Sequence, residues 1–259
     1  MSGEILTDRE GGIATVTIQA PERLNALSLP MWRQLKVTFE ELSADEGVRA
    51  VVLRGAGDKA FAAGADIAEF EHERSDVAQA TAYGAVIAEA LTAVAGCRHP
   101  VVALIQGACV GGGVELICCA DLRIAAQGCR FGIPVNRLGL VVAYDEMRGL
   151  VELVGKAAAL EIVLEGRIFD AEEALAKGLV NRLVADDAVV EAAYATARRI
   201  AEGAPLVARW HKRFINRLLD PAPLSEAENQ ESFACFATED FQTGYKAFLA
   251  KEKPVFDGR

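Results

Sequence analysis

Apolar residues alternate with threonine over 13–19: Ala14, Val16 and Ile18 fall on one face, Thr15 and Thr17 on the other. That two-residue period predicts a half-buried strand. A second short strand at 5–8 joins it through Gly11-Gly12. An unbroken apolar run at 101–105 predicts a strand buried on both faces; 50–54 reads as another buried strand and 122–126 as a strand. A further short strand covers 180–184. Elsewhere the spacing is helical. Ser28 predicts an N-cap for a helix over 29–43. Ala80, Tyr83, Ile87, Leu91 and Val94 share one face of a helix over 77–96. Gly96 ends that helix and Pro100 forbids its return. Shorter helices are predicted at 145–153, 157–164 and 171–177. From Asp187 onward nearly everything reads as helix, punctuated by Pro205, Pro221 and Pro223. Strand and helix therefore alternate over the first two-thirds, and the last third is helical.

Residues 101–121 organise the rest. A buried strand runs into Gly107, Gly111, Gly112 and Gly113, then into a short apolar helix over 114–120 carrying one charge, Glu115. The glycines require a tight turn or a close backbone approach. Unpaired N–H groups at the helix start and a carboxylate three residues from Gly112 would face one pocket. Such a pair can hold an oxyanion and move a proton beside it. The same pattern also serves plain helix-on-sheet packing with a first-turn acid. The nucleotide motifs do not fit: Gly111-Gly112-Gly113 continues Val-Glu-Leu, and no Lys-Ser or Lys-Thr follows.

The 259 residues can bury a sizeable core. A net charge of −10 and the lack of a basic run argue against a nucleic-acid partner. No basic start precedes an apolar run at the N-terminus, and no stretch approaches 18 consecutive apolar residues, so neither a signal peptide nor a membrane association is expected. The six cysteines sit mostly in apolar segments without metal-ligand spacing, and the three histidines are scattered. Reduced thiols in a cytoplasmic protein, with no metal, follow as the expectation. No G-x-S-x-G occurs, which disfavours the common serine-hydrolase layout.

Several motifs then agree in order and spacing. They are Pro21-Glu22-Arg23-Leu24-Asn25-Ala26-Leu27, Phe61-Ala62-Ala63-Gly64-Ala65-Asp66-Ile67, residues 107–115, Ala120-Asp121-Leu122-Arg123, Phe131-Gly132-Ile133-Pro134 with Leu138-Gly139, residues 174–180 and the tail 248–259. With them the chain resembles the enoyl-CoA hydratase/isomerase family, the crotonase superfamily, over nearly its whole length. The resemblance implies an α/β fold, a spiral of strand-strand-helix repeats (1–195) with a C-terminal helical trimerisation region (196–259). It implies a homotrimer or homohexamer acting on an acyl-CoA, with no separate cofactor. By the family pattern, the backbone N–H groups of Ala65 and Gly112 form an oxyanion hole and Glu115 is the catalytic acid/base. Ala26, Lys59, Ala63, Asp66, Ile67 and Val135 are expected to line the substrate, and Lys251 or Lys253 to reach a CoA phosphate across a subunit contact.

The match departs at one place. Hydratases of the family carry a second glutamate after the proline of Phe-Gly-x-Pro; here that residue is Val135. The Pro-Gly-x-Gly-Gly-Thr loop that usually follows is replaced by Val142-Ala143-Tyr144-Asp145-Glu146-Met147. Hydration with two carboxylates holding one water is therefore in question. Isomerisation, epimerisation or decarboxylation through one carboxylate, and acyl-CoA binding without turnover, stand as alternatives. Tyr144, Asp145 and Glu146 are the candidates for a replacement acid; the competing reading makes Asp145 and Glu146 ordinary first-turn acids.

Overall fold

A computed structural model describes residues 3–259. The chain opens with β1 (Glu4–Glu10) and β2 (Ile13–Gln19), an antiparallel hairpin turning at Gly11, whose φ is +57°. Helix α1 (Leu29–Ala44) follows, then β3 (Ala50–Gly55), β4 (Ala60–Ala62), the short α2 (Phe70–Glu73) and the long α3 (Val77–Ala95). Next come β5 (Val101–Ile105), β6 (Ala108–Val110), α4 (Gly112–Cys118), β7 (Leu122–Ala126), β8 (Arg130–Gly132) and α5 (Tyr144–Glu165). The chain then runs through β9 (Phe169–Asp170), α6 (Ala171–Ala176), β10 (Arg182–Val184), α7 (Val189–Ala201), α8 (Pro205–Arg217), α9 (Glu226–Glu231) and α10 (Glu239–Ala250).

The strands form two sheets. One has the order β1-β2-β3-β5-β7-β10, parallel from β2 onward; the other has the order β4-β6-β8-β9. Each successive pair, β3 with β4, β5 with β6 and β7 with β8, gives one strand to each sheet, and a helix carries the chain to the next turn. This is the strand-strand-helix spiral expected from the sequence. The short strands β4, β6 and β8 lie outside the strands predicted above. They have only three residues each, too few for a period, and their glycines look like turn signals.

The core lies between the large sheet and the helices. Val51, Val52, Leu53 and residues 101–105 are almost wholly buried, and α1 contributes Trp32, Leu35 and Phe39. Helix α3 turns Tyr83, Ile87, Leu91 and Val94 inward and packs on α1. By length and composition alone α3 is long and apolar enough to cross a bilayer, but it has no run of 18 consecutive apolar residues and it packs on α1. On the opposite face of the sheet α7 packs on β3, β5 and β7, and the Tyr194 and Thr15 hydroxyls share a 2.9 Å hydrogen bond.

Three expectations gain detail. Ser28 makes no capping bond to α1, and Pro30 as the second helical residue leaves only the Met31 N–H open to it. The first helical amide, Leu29, instead donates to Glu69 Oε2 at 2.8 Å. The helices read at 145–153 and 157–164 are the two halves of α5, separated at Gly155, whose φ is +72° and non-helical. The division at 195/196 falls inside α7, which packs on the core sheet; the change to looser packing comes at α8.

Candidate active site

The site forms where two glycine-rich crossings meet. Leu24 and Asn25 adopt left-handed φ values of 53° and 56°. Asn25 is buried; its Oδ1 accepts from Ala20 N at 3.0 Å, and its Nδ2 donates to Ala56 O at 3.0 Å and Ala60 O at 2.7 Å. That side chain ties the loop after β2 to the connection between β3 and β4. Leu27 N donates to Gly64 O at 2.8 Å and Asp66 N to Leu27 O at 2.9 Å, so 24–27 and 63–66 run together. This pairing leaves Ala65 N–H out of the ladder.

The second crossing sets 62–65 against 110–113. Gly64 has φ +101°, and a Cβ there would lie 3.2 Å from Val110 O and 3.6 Å from Gly112 N. A Cβ on Gly113 would fall 2.4 Å from Ala62 O. Glycine is required at both positions by the close approach of backbone to backbone. Gly112 is the first residue of α4, so its N–H has no partner within the helix. A Cβ on Gly112 would lie 3.7 Å from Ala65 N. The N–H groups of Ala65 and Gly112 thus lie close together, where they can offer two donors to one oxygen.

Glu115, one helical turn on, is 6 % exposed and makes no side-chain hydrogen bond to a described residue. Burial pushes its carboxyl pKa up, and the charge of Glu146 pushes it further. Glu146 enters from the first turn of α5, which packs against α4, and is 7 % exposed. Its pKa is also raised by burial, while a 3.3 Å hydrogen bond from Ala143 N to Oε2 favours the ionised form. Burial thus favours the neutral form of both carboxyl groups, and the charge on Glu146 adds to the effect at Glu115. Arg74, at the end of α2, opposes both shifts. Its guanidinium stands 4.8 Å over the rings of Phe70 and Tyr83, and Tyr83 OH is held by Glu69 Oε2 at 3.2 Å. Nothing in the sequence singled out Arg74, since its neighbours in space come from α3, α4 and α5.

The structure separates the three candidates for a replacement acid. Tyr144 is 93 % exposed, and Asp145 faces solvent beside Arg148 at 3.6 Å; Glu146 alone is brought to Glu115. A signal was available: Glu146 and Leu150 are four apart on one helical face, and Leu150 is buried. A carboxylate within an apolar row needs a reason to be there.

The remaining candidates divide. Val135 and Ile133 pack against the core, and Ile67 is half exposed at the mouth of this region. Asp66 spends its carboxylate on structure, accepting from Ala68 N at 3.2 Å and pairing with Arg23. Lys59 has an exposed side chain with no ion pair among the described residues, while its carbonyl accepts from Ala108 N at 3.0 Å. Ala26 and Ala63 are half-buried on the paired segments. Lys251 closes α10 in a left-handed conformation, and Lys253 pairs with Glu202 at 3.2 Å. All six cysteines are free thiols. Among the described residues no cluster of His, Cys, Asp or Glu could hold a metal ion.

Comparisons with known proteins agree with this geometry. The family model for enoyl-CoA hydratase/isomerase matches residues 8–259. A short-chain-enoyl-CoA hydratase of Clostridium acetobutylicum is 33 % identical over 251 residues, covering 96 % of this chain and 95 % of that protein. A crotonyl-CoA hydratase of Syntrophomonas wolfei is 31 % identical, covering 97 % of each. A crystal structure described as an enoyl-CoA hydratase/carnithine racemase from Magnetospirillum magneticum is 55 % identical with a TM-score of 0.97, covering 98 % of this chain and 96 % of that one. The chain belongs to the enoyl-CoA hydratase/isomerase family, the crotonase superfamily, and is an enzyme of that type.

Proposed function

We propose that this enzyme adds water across the α,β-double bond of an enoyl-CoA, using Glu115 and Glu146 as its carboxylate pair. The second glutamate of the family's hydratases is absent at Val135, and in this reading Glu146 takes over its work from α5. The observation that carries the proposal is the burial of Glu146 beside Glu115, next to two unpaired backbone donors.

The chemistry follows from these groups. The thioester oxygen accepts from Ala65 N–H and Gly112 N–H, which draws electrons from the double bond and makes the β-carbon electrophilic. The ionised carboxylate of the pair takes a proton from water as the water oxygen bonds to the β-carbon. The electron pair of the double bond moves onto the thioester as an enolate. The neutral carboxyl then gives its proton to the α-carbon, and the thioester carbonyl re-forms. Each carboxyl exchanges its state once, so the pair ends with the proton count it began with. Ala26, Ala63 and Lys59 suit the CoA moiety, and Ile67 and Val135 the acyl chain.

A second reading has one specific support. With Val135 in place of the usual glutamate, the site retains Glu115 for enolate chemistry without water, as in double-bond isomerisation, epimerisation or decarboxylation. Incubation with crotonyl-CoA in deuterated water separates the two. Hydration that disappears in both Glu115→Gln and Glu146→Gln supports the pair. Deuterium uptake at the α-carbon without hydration, unaffected by Glu146→Gln, overturns it in favour of a single-carboxylate enzyme. Tight acyl-CoA binding with neither signal leaves only a binding protein.

The C-terminal helices fit an assembly surface in the same reading. Phe233, Phe248 and Leu249 are 68 %, 83 % and 74 % exposed. An apolar patch of that kind marks an interaction face, here one between copies in a trimer or hexamer.

A further inference from the structure

The proposed chemistry starts from one ionised carboxylate, yet both members of the pair are buried. Glu115 is 6 % exposed and accepts no side-chain hydrogen bond from a described residue. Glu146 is 7 % exposed and accepts from one backbone donor, Ala143 N at 3.3 Å. A buried charge with so few hydrogen bonds is costly unless a charge of opposite sign stands nearby.

One cation is placed to supply it. Arg74 follows the last turn of α2 and is half-buried. The centre of its guanidinium stands 4.8 Å from the ring centroids of both Phe70 and Tyr83. Contact with two aromatic faces holds the planar group in place. Tyr83 is itself buried, and it lies on α3, which packs on both α4 and α5, the helices of Glu115 and Glu146. Nor is the charge spent locally. Glu69 Oε2 is engaged by Leu29 N at 2.8 Å and the Tyr83 hydroxyl at 3.2 Å, and Glu71 and Glu73 are exposed. The guanidinium makes no ion pair or hydrogen bond with any described residue, unlike Arg23, which pairs with Asp66.

The other groups around the pair cannot replace it. Cys118 and Cys119 on α4 and Tyr83 on α3 are kept neutral by burial. Asp145 on α5 repels Glu146 and is itself paired with Arg148. Arg123 on β7 acts on Cys118, and Lys212 on α8 and Glu152 on α5 act on Cys119. Among the described residues Arg74 is the one positive charge that acts on Glu115 or Glu146, and it acts on both.

We propose that Arg74 is a positioning residue for the carboxyl pair: its fixed charge keeps one of Glu115 and Glu146 ionised, ready to take the proton of the attacking water. The inference rests on the hydration reading given above. Arg74 acts through the pair and needs no contact with substrate. A positive charge favours the ionised form, so removing it makes both carboxyl groups harder to ionise.

The first test needs no turnover. In protein labelled with 13C at the glutamate carboxyl carbons, the two signals are assigned with Glu115→Gln and Glu146→Gln. Their titration midpoints should rise by about one pH unit in Arg74→Met, the lower end for loss of a nearby opposite charge. They should return toward the original values in Arg74→Lys, which restores the charge. Unmoved midpoints in folded Arg74→Met overturn the proposal. An equal rise in Arg74→Lys also overturns it, by assigning the effect to lost packing. The second test follows kcat/KM for crotonyl-CoA hydration against pH. The acid limb should move to higher pH in Arg74→Met, with a loss of about 10-fold below the limb that is recovered above it. A loss of the same size at every pH overturns the positioning role. If the unaltered protein hydrates no crotonyl-CoA at any pH, the hydration reading falls, and the carboxyl titration still decides whether Arg74 holds the charge of the pair.

Discussion

The spiral core and the C-terminal helices solve opposite problems. Around α4 every residue is buried, backbone lies on backbone, and glycines stand where no side chain fits. In α8, α9 and α10 almost nothing is buried: Pro205 and Asp240 are the exceptions, while Ile215, Leu218, Phe248 and Leu249 face outward. The core is finished within one chain. The C-terminal region is docked through a few polar ties and leaves its apolar surface open. Lys212 Nζ reaches Asp121 Oδ2 at 2.8 Å and His99 O at 3.2 Å, and Asp240 accepts from Asp257 N at 3.0 Å and Gly258 N at 3.2 Å, folding the tail back. Chemistry that depends on sub-ångström placement sits in the closely packed region; the exposed apolar surface sits in the C-terminal helices.

Substitutions should divide along the same line. The largest effect is expected from Gly112→Ala. Its new methyl would lie 3.1 Å from Trp32 and push the two backbone donors apart. Loss of one such donor costs about 10²–10³ in kcat, measurable with crotonyl-CoA; full activity would mean that the gap between Ala65 and Gly112 holds no oxyanion. Next is Lys212→Met, which strips the cation from a pair whose lysine is 8 % exposed. A loss of about 1–3 kcal/mol is expected, read from the urea midpoint, with activity at low temperature retained. An unchanged midpoint would mean that apolar contacts alone hold the C-terminal helices to the core.

A smaller effect is expected from pH. The folded-state pKa of Glu115 lies above its ordinary 4.5 because burial disfavours the charge. The native state therefore holds more protons than the unfolded state above that value. Stability is fully present below it and falls as pH rises through the raised one, by up to about 1.4 kcal/mol per pH unit within the window. Glu115→Gln should flatten that decline in urea titrations at successive pH values, and an equally steep decline would assign the cost to another group. The smallest effect on the folded chain is expected from Phe248→Ser. With the side chain 83 % exposed, chain stability should change by less than about 0.5 kcal/mol. Sedimentation should nevertheless show a smaller assembly; an unaltered one would remove Phe248 from the interface.

Much of the core was legible because its signals are local. The alternation of Ala14, Val16 and Ile18, the apolar runs of β3, β5 and β7, and the turn at Gly11 each depend only on near neighbours. Glu115 and the glycines before it stood out for the same reason. Other features depended on distant partners. Ser28 looked like a cap, yet it makes no capping bond and Glu69 caps the helix from another element. The strands β4, β6 and β8 are three-residue pieces that exist only through their neighbours in the second sheet.

By itself the sequence determined the order of strands and helices, the glycine crossing at 111–113, the carboxylate at 115 and the family pattern that joins them. The tertiary structure alone decided which acid of 144–146 turns inward, that Arg74 stands over Phe70 and Tyr83, and that Trp32 backs Gly112. The physical reason is rotational. A strand period or a helix start is fixed by dihedral preferences of adjacent residues, whereas the face a side chain presents depends on how its whole helix is turned against others. In α5 that turn is set by packing on α4, which points Glu146 inward and leaves Asp145, one residue earlier, in solvent.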